Sequence, residues 1–401
     1  MLISKIILGN GSLMHREADM KNSLDYFNET HQLVRQTTKK FVNRHLLPFI
    51  SAWEEQEQFP LSLYRLAGEA GLLGIGYPDV FGGSAEGDVF MKVAFTEEIM
   101  RCTSGGVVAG LGSIDIALPP IVKWANNTVK QRVVPKVIAG EKIAALAITE
   151  ANGGSDVANI RTSAKREGEF YCVNGSKMFI TSGVRADYYS VAVRTGGEGH
   201  KGISLLLIEK GTPGFSVGRN LKKTGWRCSD TAELFFENCM VPAEQLIGTE
   251  NAGFSYIMNN FLTERLMLTI MAYMTAQLAL EESMEYVKTR AAFGQPIGQF
   301  QVNRHKLVDM ATEIDIAREY TYRAAAMMQA GQHPIKQISM AKNFATGVAE
   351  RATYHAVQLF GGMGYMRETV VERLSRDARL LAIGGGTTEI MKEMIAKQIE
   401  L

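Results

Sequence analysis

Apolar residues recur at steps of three and four through the first 140 positions, switch to short β-rich runs, and return to the helical spacing after Gly253. Leu24, Phe27, Leu33, Val34, Phe41, Val42 and Leu46 predict a helix over 22–50, ended or kinked by Pro48. Shorter helices follow over 61–72, 87–104, 110–124 and 127–139, with Pro119-Pro120 breaking the third of these. The Gly-rich stretch GIGYPDVFGGSAEG lacks the GxGxxG spacing and reads as a turn. Over 142–245 the runs EKIAALAITE, EFYCVNGSKMFITSG, YYSVAVRT, GISLLLIEK and TAELFFENCMV alternate with Gly, Asn and Asp turns, Asn174-Gly175 giving the strongest hairpin signal. Helices over 253–289, 299–331, 334–359 and 387–399, joined by short connections, predict a four-helix bundle. The fold class is therefore α+β. An N-terminal helical domain (22–141) precedes a middle antiparallel β-barrel or sandwich (142–245) and a C-terminal bundle (246–401). Residues 1–21 form a leader of unassigned role, expected to be poorly ordered. The crevice where the three parts meet is the expected place for a small molecule.

Composition narrows the function classes. The 401 residues are 46% hydrophobic and 21% charged, an ordinary globular balance, and a net charge of +1 gives no basic surface for nucleic acid or anionic lipid. No apolar run is long enough for a membrane span. Cys102, Cys172, Cys228 and Cys239 form no CxxC pair, so free thiols in a reducing compartment are expected. The histidines form no HExxH, and no metal site is predicted. The leader has no convincing cleavage site and is too acidic for a typical organelle presequence, so the cytoplasm is expected, or the mitochondrial matrix in a eukaryote.

One helical face carries candidate chemistry. Ile257, Phe261, Glu264, Leu268 and Met271 lie on one side of the long helix after Gly253, and four of them are large and apolar. A carboxylate on such a stripe must find a partner or rise in pKa, and a raised carboxylate is a good general base. Arg265 points about 100° away round the helix and is not an obvious full partner. A structural ion pair to another helix is the alternative.

Several stretches resemble the acyl-CoA dehydrogenase family: LAITEANGGSDVANIRTSA (146–164), NGSKMFITSG (174–183), TRAAFGQPIGQFQ (289–301), QLFGGMGYM (358–366) and GGGTTEIMKEMIA (384–396). They occur in the family's order, and the resemblance covers about 22–401. It implies an FAD enzyme that oxidises acyl-CoA thioesters to trans-2-enoyl-CoA. A base takes the α-proton, a hydride passes from the β-carbon to flavin N5, and an electron-transfer flavoprotein collects the electrons. Homotetramers are usual, with some dimers. By the same resemblance Leu146, Ile148, Thr149, Ser155, Phe179 and Thr181 contact the flavin, with Phe179 where most relatives place Trp. Ser155 also lies near the thioester. Arg290, Phe293 and Gln301 hold the diphosphate and adenosine end from a neighbouring subunit; Gln358, Gly361, Gly362, Thr387 and Glu389 complete the FAD contacts. Thr387 is also a natural helix cap.

The last segment departs from the commoner pattern. Many relatives carry the catalytic Glu just before its Gly-Thr, and here that position is Gly385. A smaller set, resembling isovaleryl- and long-chain acyl-CoA dehydrogenases, places the base on the long helix in a Glu-Arg-Leu matched by Glu264-Arg265-Leu266. The resemblance therefore assigns Glu264 as base, with the Gly385 backbone N–H and a ribityl hydroxyl donating to the thioester carbonyl. Leu262, Arg265 and Gly386 join Ser155 as substrate-side residues, Arg265 helping to set the base's protonation. Glycines at 384 and 385 are expected to leave room for a branched or long acyl chain. Two other readings stay open: a flavin oxidase on the same fold, and a non-catalytic flavoprotein or binding protein.

Overall fold

Asn28 opens the first helix of the computed structural model, which describes residues 26–401; the leader expected over 1–21 lies outside the described residues. The Asn28 side chain accepts from the N–H groups of Thr30 and His31, and α1 (Glu29–Phe41) widens into a π-turn over Val42–Leu46. Pro48 sits in the break before α2 (Ile50–Gln56), and α3 (Ser62–Glu69) and α4 (Val89–Met100) follow. The expected helix over 110–124 is three pieces, α5 (Gly105–Leu111), α6 (Ile114–Ala117) and α7 (Pro119–Trp124). The two prolines open α7 instead of interrupting a helix, because a missing N–H costs nothing in a first turn. Asn126 caps α8 (Asn127–Ile138).

The middle region is sandwich-like and not a closed barrel. Strands β1 (Ala144–Ala147), β2 (Ser163–Glu167), β3 (Phe170–Thr181), β4 (Tyr188–Arg194), β5 (Ile203–Glu209), β6 (Phe215–Asn220), β7 (Thr231–Pro242) and β8 (Leu246–Ile247) run in the order β6-β7-β3-β2-β4-β5-β8. Its two halves are joined strand to strand where Ser163 of β2 pairs with Arg194 of β4, and β1 runs parallel to β4, so the sheet is not wholly antiparallel. The hairpin expected at Asn174-Gly175 is also absent. The β2–β3 turn lies at Gly168-Glu169, and β3 continues through Asn174 to pair with β7. Asn174 and Gly175 form a bulge instead; Gly175 has φ +142, and a Cβ there would stand 2.7 Å from Thr162 Cα.

The C-terminal region is built on α9 (Gly253–Thr289), α10 (Gln301–Gln329), α11 (Ile335–Phe360) and α12 (Val370–Leu381), with α13 (Thr388–Gln398) packed on α11. The sequence pattern placed 387–399 in the bundle and left out 370–381, although Val371, Leu374, Ala378 and Leu381 are buried at helical spacing. Two junctions bind the three regions together. Asn260 Nδ2 on α9 donates to the Ile116 carbonyl of α6 at 2.7 Å. Asp377 on α12 accepts from Gly105 N–H at the start of α5 and from Trp226 N–H before β7. One hydrophobic cluster runs through all three regions, from Phe41 through Val191 to Leu381.

Candidate active site

Glu264 lies about a third of the way along α9, between Ile257 and Phe261 on one side and Leu268 and Met271 on the other. The residue keeps some accessible surface, but Oε2 is buried without a hydrogen-bond partner. Among the described residues Glu264 makes no ion pair, so the cross-helix salt bridge that would have explained it is not there. Burial pushes the carboxyl up to about 7, against the pull of Arg265 and Lys342. Leu262 is buried but lies two residues away, about 200° round the helix, so the structure does not bring it to the carboxylate.

The turn between α12 and α13 closes over this carboxylate. Gly385 has φ +65, and a Cβ there would stand 3.6 Å from Glu264 Oε1 and 2.5 Å from Leu268 Cδ1. The space expected to be open at 385 is thus filled by Leu268, whereas at Gly384 only the Leu380 carbonyl, at 3.6 Å, comes near. Arg265 Nε donates to the Gly385 carbonyl at 3.0 Å, and its Nη2 would stand 3.7 Å from a Cβ at Gly386. Lys342 Nζ, on α11, donates to the carbonyls of Leu381 at 3.1 Å and Gly386 at 2.8 Å. Sequence reasoning did not select Lys342. Its signal was the same as that of Glu264: a charged residue on the apolar stripe Ile338, Lys342, Ala345, Ala349, all buried. Thr387 caps α13, its side-chain oxygen accepting from Ile390 N–H, and the Glu389 side chain hydrogen-bonds with Thr387.

A second constellation forms where the two β-region motifs meet. Met178 N–H donates to the Thr149 carbonyl at 2.8 Å, and the wholly buried Lys177 donates to the Ile148 carbonyl and to Glu150 Oε1. Burial would raise the Glu150 carboxyl, but Lys177 and donors at Thr162 and Arg161 hold it below the ordinary range. Burial also lowers Lys177 to about 8, so the pair is ionised at neutral pH. The bulge between Lys177 and Ile180 turns Phe179 out of the strand at φ +62, leaving its ring 59% exposed. Leu146, Thr149 and Thr181 are half-buried beside it, Ile148 is buried, and Ser155 is exposed past the Glu150–Gly153 turn. Sequence reading found both motifs and missed Lys177 and Glu150, the pair that fastens one to the other. Lys177→Ala strands Glu150 without its cation and is expected to cost about 3–5 kcal/mol of stability, measured by urea unfolding.

The remaining candidates lie on the outer surface. Arg290 follows α9, and its guanidinium finds no acceptor among the described residues. The hairpin of β9 (Ala291–Ala292) and β10 (Gln295–Pro296) carries Phe293 at its tip, 96% exposed at φ +53. Gln301, Gln358, Gly361 and Gly362 are exposed as well. Among the described residues no group of three His, Cys, Asp or Glu is placed to hold a metal, and no single helix is long and apolar enough to cross a membrane. All four cysteines are free.

Comparison with known proteins covers nearly the whole described chain. Family models for the acyl-CoA dehydrogenase N-terminal, middle and C-terminal domains match residues 28–141, 145–239 and 251–400. The chain is 38% identical over 378 residues to the mitochondrial long-chain specific acyl-CoA dehydrogenase of Sus scrofa, covering 93% of this chain and 87% of that protein. It is 35% identical over 397 residues to the mitochondrial isovaleryl-CoA dehydrogenase of Oryza sativa subsp. japonica, covering 98% and 97%. The crystal structure of an acyl-CoA dehydrogenase from Geobacillus kaustophilus superposes with a TM-score of 0.91 at 39% identity, covering 94% of this chain and all of that one.

Proposed function

The chain belongs to the acyl-CoA dehydrogenase family of FAD-dependent flavoproteins, and on that premise we propose that Glu264 takes the α-proton of its acyl-CoA substrate. One observation carries this reading. The carboxylate with a buried, unpartnered oxygen lies against the turn at Gly385, where a Cβ would stand 3.6 Å from its Oε1, and the Gly385 N–H donates to no acceptor among the described residues. A thioester α-proton is a weak acid, so removing it needs a base and a donor to the carbonyl at the same time. A carboxyl near 7 is basic enough to take the proton and still largely ionised just above neutrality. Arg265 and Lys342 keep it from rising further, and Arg265 also holds the Gly385 carbonyl.

FAD, when bound, would supply the acceptor for a hydride from the β-carbon. The residues fit it. Phe179 offers an exposed ring aimed out of its strand, with Leu146, Ile148, Thr149, Thr181 and Ser155 around it. Arg290 offers a free guanidinium fork for a diphosphate beside the exposed Phe293. Their position on the outer surface, with Gln301, Gln358, Gly361, Gly362 and Glu389 and the half-buried Thr387, supports a site completed across a subunit boundary in a homotetramer. An electron-transfer flavoprotein is the proposed acceptor, and the cytoplasm, or the matrix in a eukaryote, the proposed location. The substrate class is a fatty or branched-chain acyl-CoA.

Anaerobic titration with isovaleryl-, octanoyl- and palmitoyl-CoA, following flavin absorbance, tests this. Bleaching is expected, and the thioester that bleaches fastest names the chain class. Bound FAD that no thioester bleaches would turn the reading to a non-catalytic flavoprotein. Rapid reoxidation by oxygen after bleaching would favour an oxidase.

A further inference from the structure

Among the described residues two lysines are buried almost completely, and only one has a counter-ion. Lys177 pairs with Glu150. Lys342 makes no ion pair among the described residues; its ammonium donates to the carbonyls of Leu381 and Gly386. Burying an ammonium without a carboxylate is costly, and burial, helped by Arg265, pulls Lys342 down to about 8. Its two bonds straddle the turn that carries Gly385.

The peptide planes of that turn show what the bonds achieve. Gly384 N–H donates to the Leu380 carbonyl at 2.8 Å, which fixes the plane before Gly384. Arg265 fixes the plane after Gly385 through the Gly385 carbonyl, and Lys342 fixes the next through the Gly386 carbonyl. The plane between Gly384 and Gly385, which carries the free N–H, is the one left without a protein partner among the described residues. With glycines at 384, 385 and 386 the turn has no side chain to hold it. Thr388 N–H closes it on the Ala382 carbonyl at 3.1 Å, and the two cations beneath it fix its inner carbonyls, those of Gly385 and Gly386.

We propose that Lys342 is a positioning residue of the reaction: it holds the turn so that Gly385 N–H meets the thioester carbonyl, and its charge helps keep Glu264 ionised. The inference rests on the assignment of Glu264 and Gly385 made above. The charged groups acting on Glu264 are Arg265 on its own helix and Lys342 on α11, and the facing stretch Ala382–Gly386 adds none. Removing the Lys342 charge therefore shifts Glu264 further up, and the acidic limb of the rate profile moves to higher pH with it.

The test uses FAD-loaded Lys342→Met, Lys342→Gln and Lys342→Arg, with Glu264→Gln in parallel. Lys342→Met and Lys342→Gln are expected to move the acidic limb of flavin reduction up by about one pH unit. Lys342→Met should also lower the plateau rate about tenfold with little change in KM, because the oriented donor acts mainly in the transition state. Lys342→Arg keeps the charge and should leave the limb in place. A spectral pH titration with 3-thiaoctanoyl-CoA, which loses an α-proton but has no β C–H to transfer, reads the same limb without turnover. If Lys342→Met and Lys342→Gln hold the limb within about half a unit of wild type, the proposal fails, even with lowered FAD content or melting temperature. If no Lys342 variant folds, its role is structural and the proposal is withdrawn. If Glu264→Gln keeps reduction within about tenfold of wild type, the assignment of the base fails first, whatever Lys342 does.

Discussion

Glu264→Gln lowers the rate of anaerobic flavin reduction by about 10²–10⁴-fold and leaves FAD content unchanged. The amide matches the carboxylate in shape and cannot take a proton. In the wild type the same group sets the pH profile. Its carboxyl stands at about 7, raised by burial, so the rate rises about tenfold per pH unit below that point and levels off above it. The cost of this arrangement is visible in stability. An ordinary carboxyl titrates near 4.5, and this one in the folded state near 7, so the folded protein holds the proton more tightly than the unfolded chain. The stabilising difference is full below about 4.5 and is lost as pH rises through about 7, a change of about 3 kcal/mol. Glu264→Gln escapes that loss. Its melting temperature should exceed the wild-type value at pH 8 and approach it at pH 5, by calorimetry at the two pH values. A variant less stable than wild type at pH 8 would reveal a stabilising partner for the carboxylate and weaken the case for a base.

Gly385→Glu gives the second large effect. Its Cβ would begin 3.6 Å from Glu264 Oε1 and against Leu268 Cδ1, at a φ of +65 that L side chains rarely adopt. Two carboxylates sharing so small a space cannot both ionise, so one of them rises strongly. The expected outcome is a fall in flavin reduction at pH 7 of about a hundredfold, with the acidic limb moved upward by more than one unit. The backbone strain and the displaced Leu268 should remove about 1–3 kcal/mol of stability as well. In the double variant Glu264→Gln, Gly385→Glu the crowding of charge is gone and a carboxylate remains in the same place. That variant should recover about tenfold of the rate lost by Glu264→Gln alone. No recovery, in a folded and FAD-loaded protein, would mean that positions 264 and 385 do not address the same carbon.

The sequence made the class of fold and the long helix legible because both rest on periodicity. The 3.6-residue stripe Ile257, Phe261, Glu264, Leu268, Met271 is apolar but for one carboxylate, which stood out. Local turn chemistry was a poorer guide. Asn174-Gly175 has the composition of a tight hairpin, but pairing of β3 with β7 on both sides of it overrides the local preference and makes it a bulge. Pro119-Pro120 was visible as a break but not as a helix start, since that depends on where Leu118 ends the previous turn. In the site, motif reading found residues on the ligand side and passed over those behind them. Lys177, Glu150 and Lys342 lie beneath the surfaces they support, and no spacing in the chain announces that Lys177 meets a residue 27 positions away or Lys342 one 44 away. Lys342 was within reach of the argument that found Glu264; Lys177 was not, because alternation along a bulged strand does not say which face is buried.

Asp377 has a bearing on how the chain can be divided. It sits in the last third of the sequence and accepts hydrogen bonds from Gly105 N–H in the first third and Trp226 N–H in the second. A chain ending before Val370 would leave both N–H groups buried without that acceptor, at about 1–3 kcal/mol each. The three segments matched by separate family models are therefore units of resemblance, while the unit that folds takes in all three, sealed only when the C-terminal helices arrive.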